Sequence, residues 1–147
     1  MNFKTFTSQS GWFNLSLPAD WSEYDDDEEG TYAFFNSKSW TGNFRITPIR
    51  WEQVADSNED KAAKFVAKRI TETEGATKIM LGDFECVYYK REMKQDNDSL
   101  VIYYWITGKK QNLFICSFTI NKEQESTKQN EDELRIVEKI IKSIKIN

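Results

Sequence analysis

Leu100-Val-Ile-Tyr-Tyr-Trp-Ile106 decides the fold, together with Leu113-Phe-Ile-Cys-Ser-Phe-Thr-Ile120 one turn further along the chain. Successive side chains of a strand point to opposite faces, so a sheet with one wet face alternates cleanly between apolar and polar. Neither run does so. In the first, both alternating sets are apolar. In the second, Phe114, Cys116, Phe118 and Ile120 stand against Leu113 and Ile115. Such strands are expected to be covered on both faces.

A third strand-like run, Phe84–Met93, precedes these two. Gln95-Asp-Asn-Asp98 and Gly108-Lys-Lys-Gln-Asn112 separate the three, and both are turn chemistry. Short polar connections predict antiparallel neighbours, hence a meander. On either side of it the period changes. Over 58–74, Ala62, Phe65, Val66, Arg69 and Ile70 form the apolar stripe of an amphipathic helix. Ser57 is the expected N-cap, Glu59 and Asp60 sit in the first turn, and Gly75 supplies the stop. From Thr127 to Ile144 a second stripe runs through Leu134, Val137, Ile140, Ile141 and Ile144, and Ser126 and Gln129 have capping-box spacing.

Nearer the start, Trp12–Leu17 alternates Phe13, Leu15 and Leu17 against Asn14 and Ser16, and Pro18 ends it. Thr31–Phe35 and Asn43–Trp51 read as two further strands. Pro48 inside the latter predicts an edge strand or a bulge, because proline cannot donate to a ladder. The sum is one α+β domain over residues 1–147. The expected architecture is a mainly antiparallel sheet of about six strands with helices on both faces.

Composition narrows the function. The chain has 147 residues, 39% hydrophobic and 30% charged, which is ordinary for a globular domain. Aromatics reach 14%, enough for some rings to lie at the surface. The net charge of −4 is unevenly placed: residues 1–57 hold four basic and nine acidic side chains, the remainder sixteen and fifteen. With no basic block, neither nucleic acid nor an anionic membrane has much to grip. Lys90-Arg91 and Lys109-Lys110 are short basic pairs that read as solvated strand edges. Met1-Asn-Phe-Lys-Thr-Phe has no apolar stretch of signal-peptide length, and no run approaches the roughly 20 apolar residues of a membrane helix. The expected location is the cytoplasm. Cys86 and Cys116 lie inside apolar runs without a CxxC, as reduced core thiols or, alternatively, a disulfide between neighbouring strands.

Histidine is absent, which removes the commonest general base, the commonest metal ligand and the Ser-His and Cys-His pairs. There is no GxGxxG and no GxxxxGK[ST] loop to cradle phosphate. The expectation is a protein without catalytic residues, cofactor or metal; carboxylate-only catalysis is the enzymatic alternative. Asp25, Asp26, Asp27, Glu28 and Glu29 form the one strong charge run. Its clustered oxygens make it the best candidate for a Ca²⁺ site, but it lacks the alternating spacing of an EF-hand loop, and it reads before that as a solubilising loop or as a charged partner-binding loop. Trp40 sits in a polar loop with no periodic reason to be buried, and Trp51 ends the Pro48 strand. With Trp21 and Tyr24 flanking the acidic run, the expected partner-binding residues are Trp21, Tyr24, Asp25, Asp26, Asp27, Glu28, Glu29, Trp40 and Trp51. Each aromatic has a plainer reading as a ring folded over the core edge.

Gly11-Trp-Phe-Asn-Leu-Ser-Leu-Pro-Ala-Asp-Trp21, with its strand, Pro18 and Trp21, resembles the opening of the PsbP-like and Mog-like superfamily, whose bacterial relatives include DcrB-like proteins. The resemblance implies an α/β/α sandwich and no shared chemistry. Some of its small cytosolic members are suspected immunity proteins. Two functions are thus expected. The first is a non-enzymatic protein–protein interaction module, of immunity or adaptor type, whose acidic and aromatic face meets an unknown, basic partner; the chain itself would be a monomer or weak dimer. The second is a small-molecule binder with a pocket lined by Tyr88, Tyr103 and Trp105.

Overall fold

A computed structural model describes residues 2–53 and 58–147. Among these, the strands are β1 (Phe3–Thr7), β2 (Phe13–Pro18), β3 (Trp21–Tyr24), β4 (Tyr32–Asn36) and β5 (Gly42–Arg50), then β6 (Thr77–Leu81), β7 (Phe84–Gln95), β8 (Asp98–Lys109), β9 (Asn112–Asn121) and β10 (Lys145–Ile146). The helices are α1 (Lys61–Glu72) and α2 (Lys128–Lys142), with a single 3-10 turn at Lys122–Gln124. The large sheet has the order β3-β4-β5-β9-β8-β7-β6 and the small one β1-β2-β10. Every pairing is antiparallel.

The expected α/β/α sandwich is corrected. Among the described residues the chain is mostly β: ten strands in two antiparallel sheets stand where about six in one were expected, with two α-helices. One face of the meander receives α1, through Ala62 and Val66 on Val87, Tyr89, Ile106 and Leu113. The other face is not covered by a helical layer. Phe13, Leu15 and Leu17 of β2 enter that core beside Val137, Ile140 and Ile141 of α2, over Trp105, Phe114, Cys116 and Phe118. The four strands not foreseen, β1, β3, β6 and β10, have two to five residues each, and all four lie at sheet edges. They bury too few side chains to write a period into the sequence.

The β7-β8-β9 meander is present, with Tyr103 opposite Phe118 and Trp105 opposite Cys116. Pro48 does not mark a sheet edge, because β5 lies between β4 and β9. The β4 pairing ends at Tyr32 opposite Ile46, so beyond it the missing N–H of Pro48 interrupts no ladder on that side. Cys86 and Cys116 are buried free thiols on β7 and β9, two strand spacings apart with β8 between them. The disulfide alternative is thereby overturned.

The caps differ from expectation. Ser57 lies outside the described residues, and α1 is capped by Asp60, whose Oδ1 accepts from the Ala63 amide at 2.9 Å. For α2 the cap is Thr127, accepting from the Asn130 amide at 3.2 Å, one residue after the expected Ser126. Gly75 is left-handed at φ +79°, but it does not end α1: the C-cap is Thr73, in an extended conformation, and Gly75 lies in the turn that follows, closed by the Ala76 amide on the Thr73 carbonyl at 3.2 Å.

Candidate functional site

In an antiparallel sheet, residues in register share a face. On the α1 face, one row runs Tyr24, Ala33, Arg45, Ser117, Tyr104, Tyr89, and the next runs Phe35, Asn43, Thr119, Ile102, Arg91. α1 packs on β7, β8 and the start of β9, so the β3-β4-β5 half of these rows has no helix over it. There Ala33, Asn43, Ser117 and Thr119 are small, and bulkier side chains rise on both sides of them.

The loop between β4 and β5 carries Trp40 to this open half. Asn36 Oδ1 accepts from the amides of Lys38 and Ser39, at 3.1 and 3.3 Å, which winds the loop. Two contacts then fix it to α2. Gln129 Nε2 donates to the Ser39 hydroxyl, and the Thr41 hydroxyl donates to the Glu133 carboxylate. The result is a tryptophan that is 64% exposed yet oriented, its Nε1–H donating to Asn43 Oδ1 at 3.0 Å. Trp40, Tyr24, Phe35, Asn43 and Arg45 together line a mainly apolar depression of about 450 Å³. Tyr24 and Phe35 meet edge to face with centroids 5.8 Å apart. A second hollow of about 500 Å³ continues from Trp40 and Arg45 toward Ile102, Thr119 and Met93.

The electrostatics are uneven. Arg45 Nε donates to Asp26 Oδ2 at 2.9 Å in a half-buried pair, so its charge is already met. Tyr24 has its hydroxyl raised above the ordinary tyrosine range, chiefly by burial, with Arg45 opposing and Asp26 adding. That hydroxyl is enclosed and without a hydrogen-bond partner among the described residues. Asp25, Asp27, Glu28 and Glu29 are exposed and form no ion pair among the described residues. Nor do three Asp, Glu or Cys side chains converge there as a metal cluster would require.

The nine expected site residues separate into three groups. Tyr24, Asp26 and Trp40 come together around Arg45, with Asp25, Asp27, Glu28 and Glu29 on the adjoining turn. Trp21 is not a surface residue: it is 1% exposed and points into the core shared with β2. Trp51 is half-buried at the far end of β5, tilted against Phe65 of α1 with centroids 6.4 Å apart. Nine residues of strand separate the Trp40 loop from Trp51, about 30 Å of extended chain. Arg45 and Phe35 belong to the site but not to the expectation; only the register of β4 against β5 reveals them. The pocket expected at Tyr88, Tyr103 and Trp105 is filled. Tyr103 and Trp105 are buried beneath α2, bonded to Asn130 at 3.3 Å and to Glu138 at 3.2 Å.

Fold and site together define a β-rich α+β domain presenting an aromatic depression beside an acidic turn on a half-open sheet. The chain belongs, over residues 1–147, to the family described as a domain of unknown function, DUF3805. A protein of known crystal structure from Bacteroides thetaiotaomicron matches it at TM-score 0.79 and 28% identity. The match covers 100% of this chain and 49% of that one, so the chain spans about half the length of that relative. The solution structure of cyanobacterial PsbP (CyanoP) from Synechocystis matches at TM-score 0.48 and 8% identity, covering 99% of this chain and 92% of the other. No curated protein matches the chain. Among the described residues no helix is long and apolar enough to cross a membrane.

Proposed function

We propose that this domain is a non-enzymatic protein-recognition module of the cytoplasm, and that its binding face is the open β3-β4-β5 half of the large sheet. One observation carries the reading: Trp40 is 64% exposed although its loop is tied to α2 and its ring nitrogen to Asn43. A large ring held rigidly in water costs hydration without contributing to the core, which is what an interface anchor looks like before its partner arrives. The unpaired acids Asp25, Asp27, Glu28 and Glu29 would steer a basic partner and set the rate of encounter, while Tyr24, Phe35 and Trp40 supply the affinity. An immunity-type or adaptor role, and a place for this family among PsbP-like and DcrB-like proteins, extend the proposal on the resemblance around Pro18 and Trp21 alone. The free chain is taken as a monomer or weak dimer.

The test is affinity capture from the native cell lysate at low and high salt, using wild type, Trp40→Ala and a variant with the four unpaired acids made amides. The reading expects a basic protein that is shed at high salt and missing from both variants. Equal recovery by all three chains would defeat it. A small-molecule binder is the second reading, favoured by the 500 Å³ hollow that adjoins Trp40 rather than by the filled space at Tyr103. Thermal shift against a ligand library separates the two.

A further inference from the structure

We propose that the depression between Tyr24, Phe35 and Trp40 is a receptor for one arginine side chain of a basic partner protein, an inference that rests on the recognition reading above. Three aromatic rings border the same hollow of about 450 Å³. Aromatic faces attract cations through their quadrupole, most strongly in Trp, and arginine is the commoner partner because its planar guanidinium stacks as well as donates. Orientation comes with the fold, since Asn43 holds the Trp40 ring nitrogen at 3.0 Å and Phe35 meets Tyr24 edge to face.

Charge decides the sign of the ligand. Arg45 also lines the hollow, and a free guanidinium there would select an anion. It is not free: Asp26 pairs with it at 2.9 Å, and the Asp26 side chain is only 12% exposed. The adjoining turn then adds Asp25, Asp27, Glu28 and Glu29 with no counter-charge among the described residues. The nearby Lys38 is itself paired with Asp20 at 3.3 Å. The formal charges of the hollow and its adjoining turn therefore sum to a negative value, which favours a cation as the ligand. Elsewhere this chain seats its own arginines on rings in the same way: Arg50 over Trp12 at 5.4 Å, Arg69 over Phe65 at 5.1 Å and Arg91 over Tyr89 at 4.9 Å. Among the described residues, Trp40 has no such cation over its ring.

The probe is a capped Ala-Arg-Ala tripeptide, titrated into nitrogen-15-labelled protein while the Trp40 indole resonance is followed. Its citrulline counterpart keeps the planar shape of the side chain and three of its N–H donors, puts a carbonyl oxygen in place of one amino group, and removes the charge. The expected result is a saturable indole shift with the arginine peptide and none with the citrulline peptide. In Trp40→Ala, followed at the Phe35 and Asn43 amides, binding should be about tenfold weaker. Trp40 is exposed, so this variant keeps its fold. Equal shifts from both peptides, no saturation, or perturbation confined to other surfaces would overturn the site. The recognition reading fails separately. If the arginine peptide seats on Trp40 while lysate capture stays empty, the site stands and the partner does not. If capture depends on the acidic turn while the indole ignores the peptide, the partner stands and the site does not.

Discussion

Glu133 is the residue on which the geometry of Trp40 turns. It is 3% exposed, accepts from the Thr41 hydroxyl, and leaves its second oxygen without a partner among the described residues. Burial pushes its carboxyl up to about 7, against the opposing hydrogen bonds from the Thr41 side chain and backbone. The folded state therefore holds this proton where the unfolded chain, near 4.5, has released it. The native state binds more protons between those values, so this group's contribution makes stability fall as pH rises from about 4.5 to 7. Glu133→Gln removes the titration. The stability gap between variant and wild type should shift by about 3 kcal/mol in the variant's favour between pH 4.5 and pH 8, read from urea unfolding. Parallel pH profiles would mean that Glu133 titrates as an ordinary surface acid. The next residue from Thr41 is as constrained: a Cβ on Gly42 would lie 2.5 Å from the Thr119 carbonyl oxygen and 2.6 Å from Ile120. Gly42→Ala should cost about 1–3 kcal/mol and broaden the Trp40 indole signal, because the strand must back away from β9.

At the scale of elements, α1 is fixed chiefly by its first turn. Asp60 Oδ1 accepts from Ala63 of its own helix and from the Lys110 amide at 2.8 Å, and the Ala62 amide donates to the Lys110 carbonyl at 2.8 Å. One carboxylate thus caps the helix and ties it to the β8-β9 turn, where Lys110 itself adopts φ +57°. Asp60→Ala should cost about 2 kcal/mol, at the upper end for a cap because two donors lose their partner together. Asp60→Asn should recover most of that loss, and a failure to do so would point to charge rather than capping. Local chemistry of this kind was only partly legible. The stripe through Ala62, Phe65 and Val66 fixed the helix, but Ser57 and Asp60 are both capping residue types, and the contact of Asp60 with Lys110 that ties the cap to the β8-β9 turn is written nowhere in the local sequence. The runs at Leu100 and Leu113 were legible because one face is fully buried, through Val101, Tyr103, Trp105, Phe114, Cys116 and Phe118, but cover on the other is complete only under α1: Ile102, Tyr104, Ser117 and Thr119 are half-buried. β3 was not, since Trp-Ser-Glu-Tyr buries one ring fully, and β1 has four exposed residues of five. The site was half legible for the same reason: exposure of Trp40 follows from its polar loop, whereas the Asp26–Arg45 pair needs the β4–β5 register.

For the whole molecule, the decisive junction is β5 on β9. Gly42 pairs with Ile120 and Arg50 with Asn112, so the half-sheet bearing the candidate site joins the meander through residues more than sixty positions away. Closing that loop must precede the contacts that reward it, which makes the large sheet a slow but cooperative unit. The two cysteines sit where they report on this. Cys116 belongs to β9, between β5 and β8, and Cys86 to β7, between β8 and β6. Both are fully buried. Burial pushes the Cys86 thiol up to about 12, with Glu138 adding, and raises Cys116 well above the ordinary thiol range. A protonated, enclosed thiol is a poor nucleophile, so neither should react with a disulfide reagent such as DTNB at pH 8 until the sheet opens. If opening is global, both thiols should label at one rate, and that rate should fall about tenfold for each 1.4 kcal/mol of added stability. Faster labelling of Cys86 alone would locate a separate opening at the β6-β7 edge, where β6 covers only Phe84–Tyr88 of its twelve-residue neighbour. That result would leave β5, β9 and the Trp40 loop closed. Faster labelling of Cys116 alone would instead mean that β5 detaches with its recognition face, which would make the rigid presentation of Trp40 untenable.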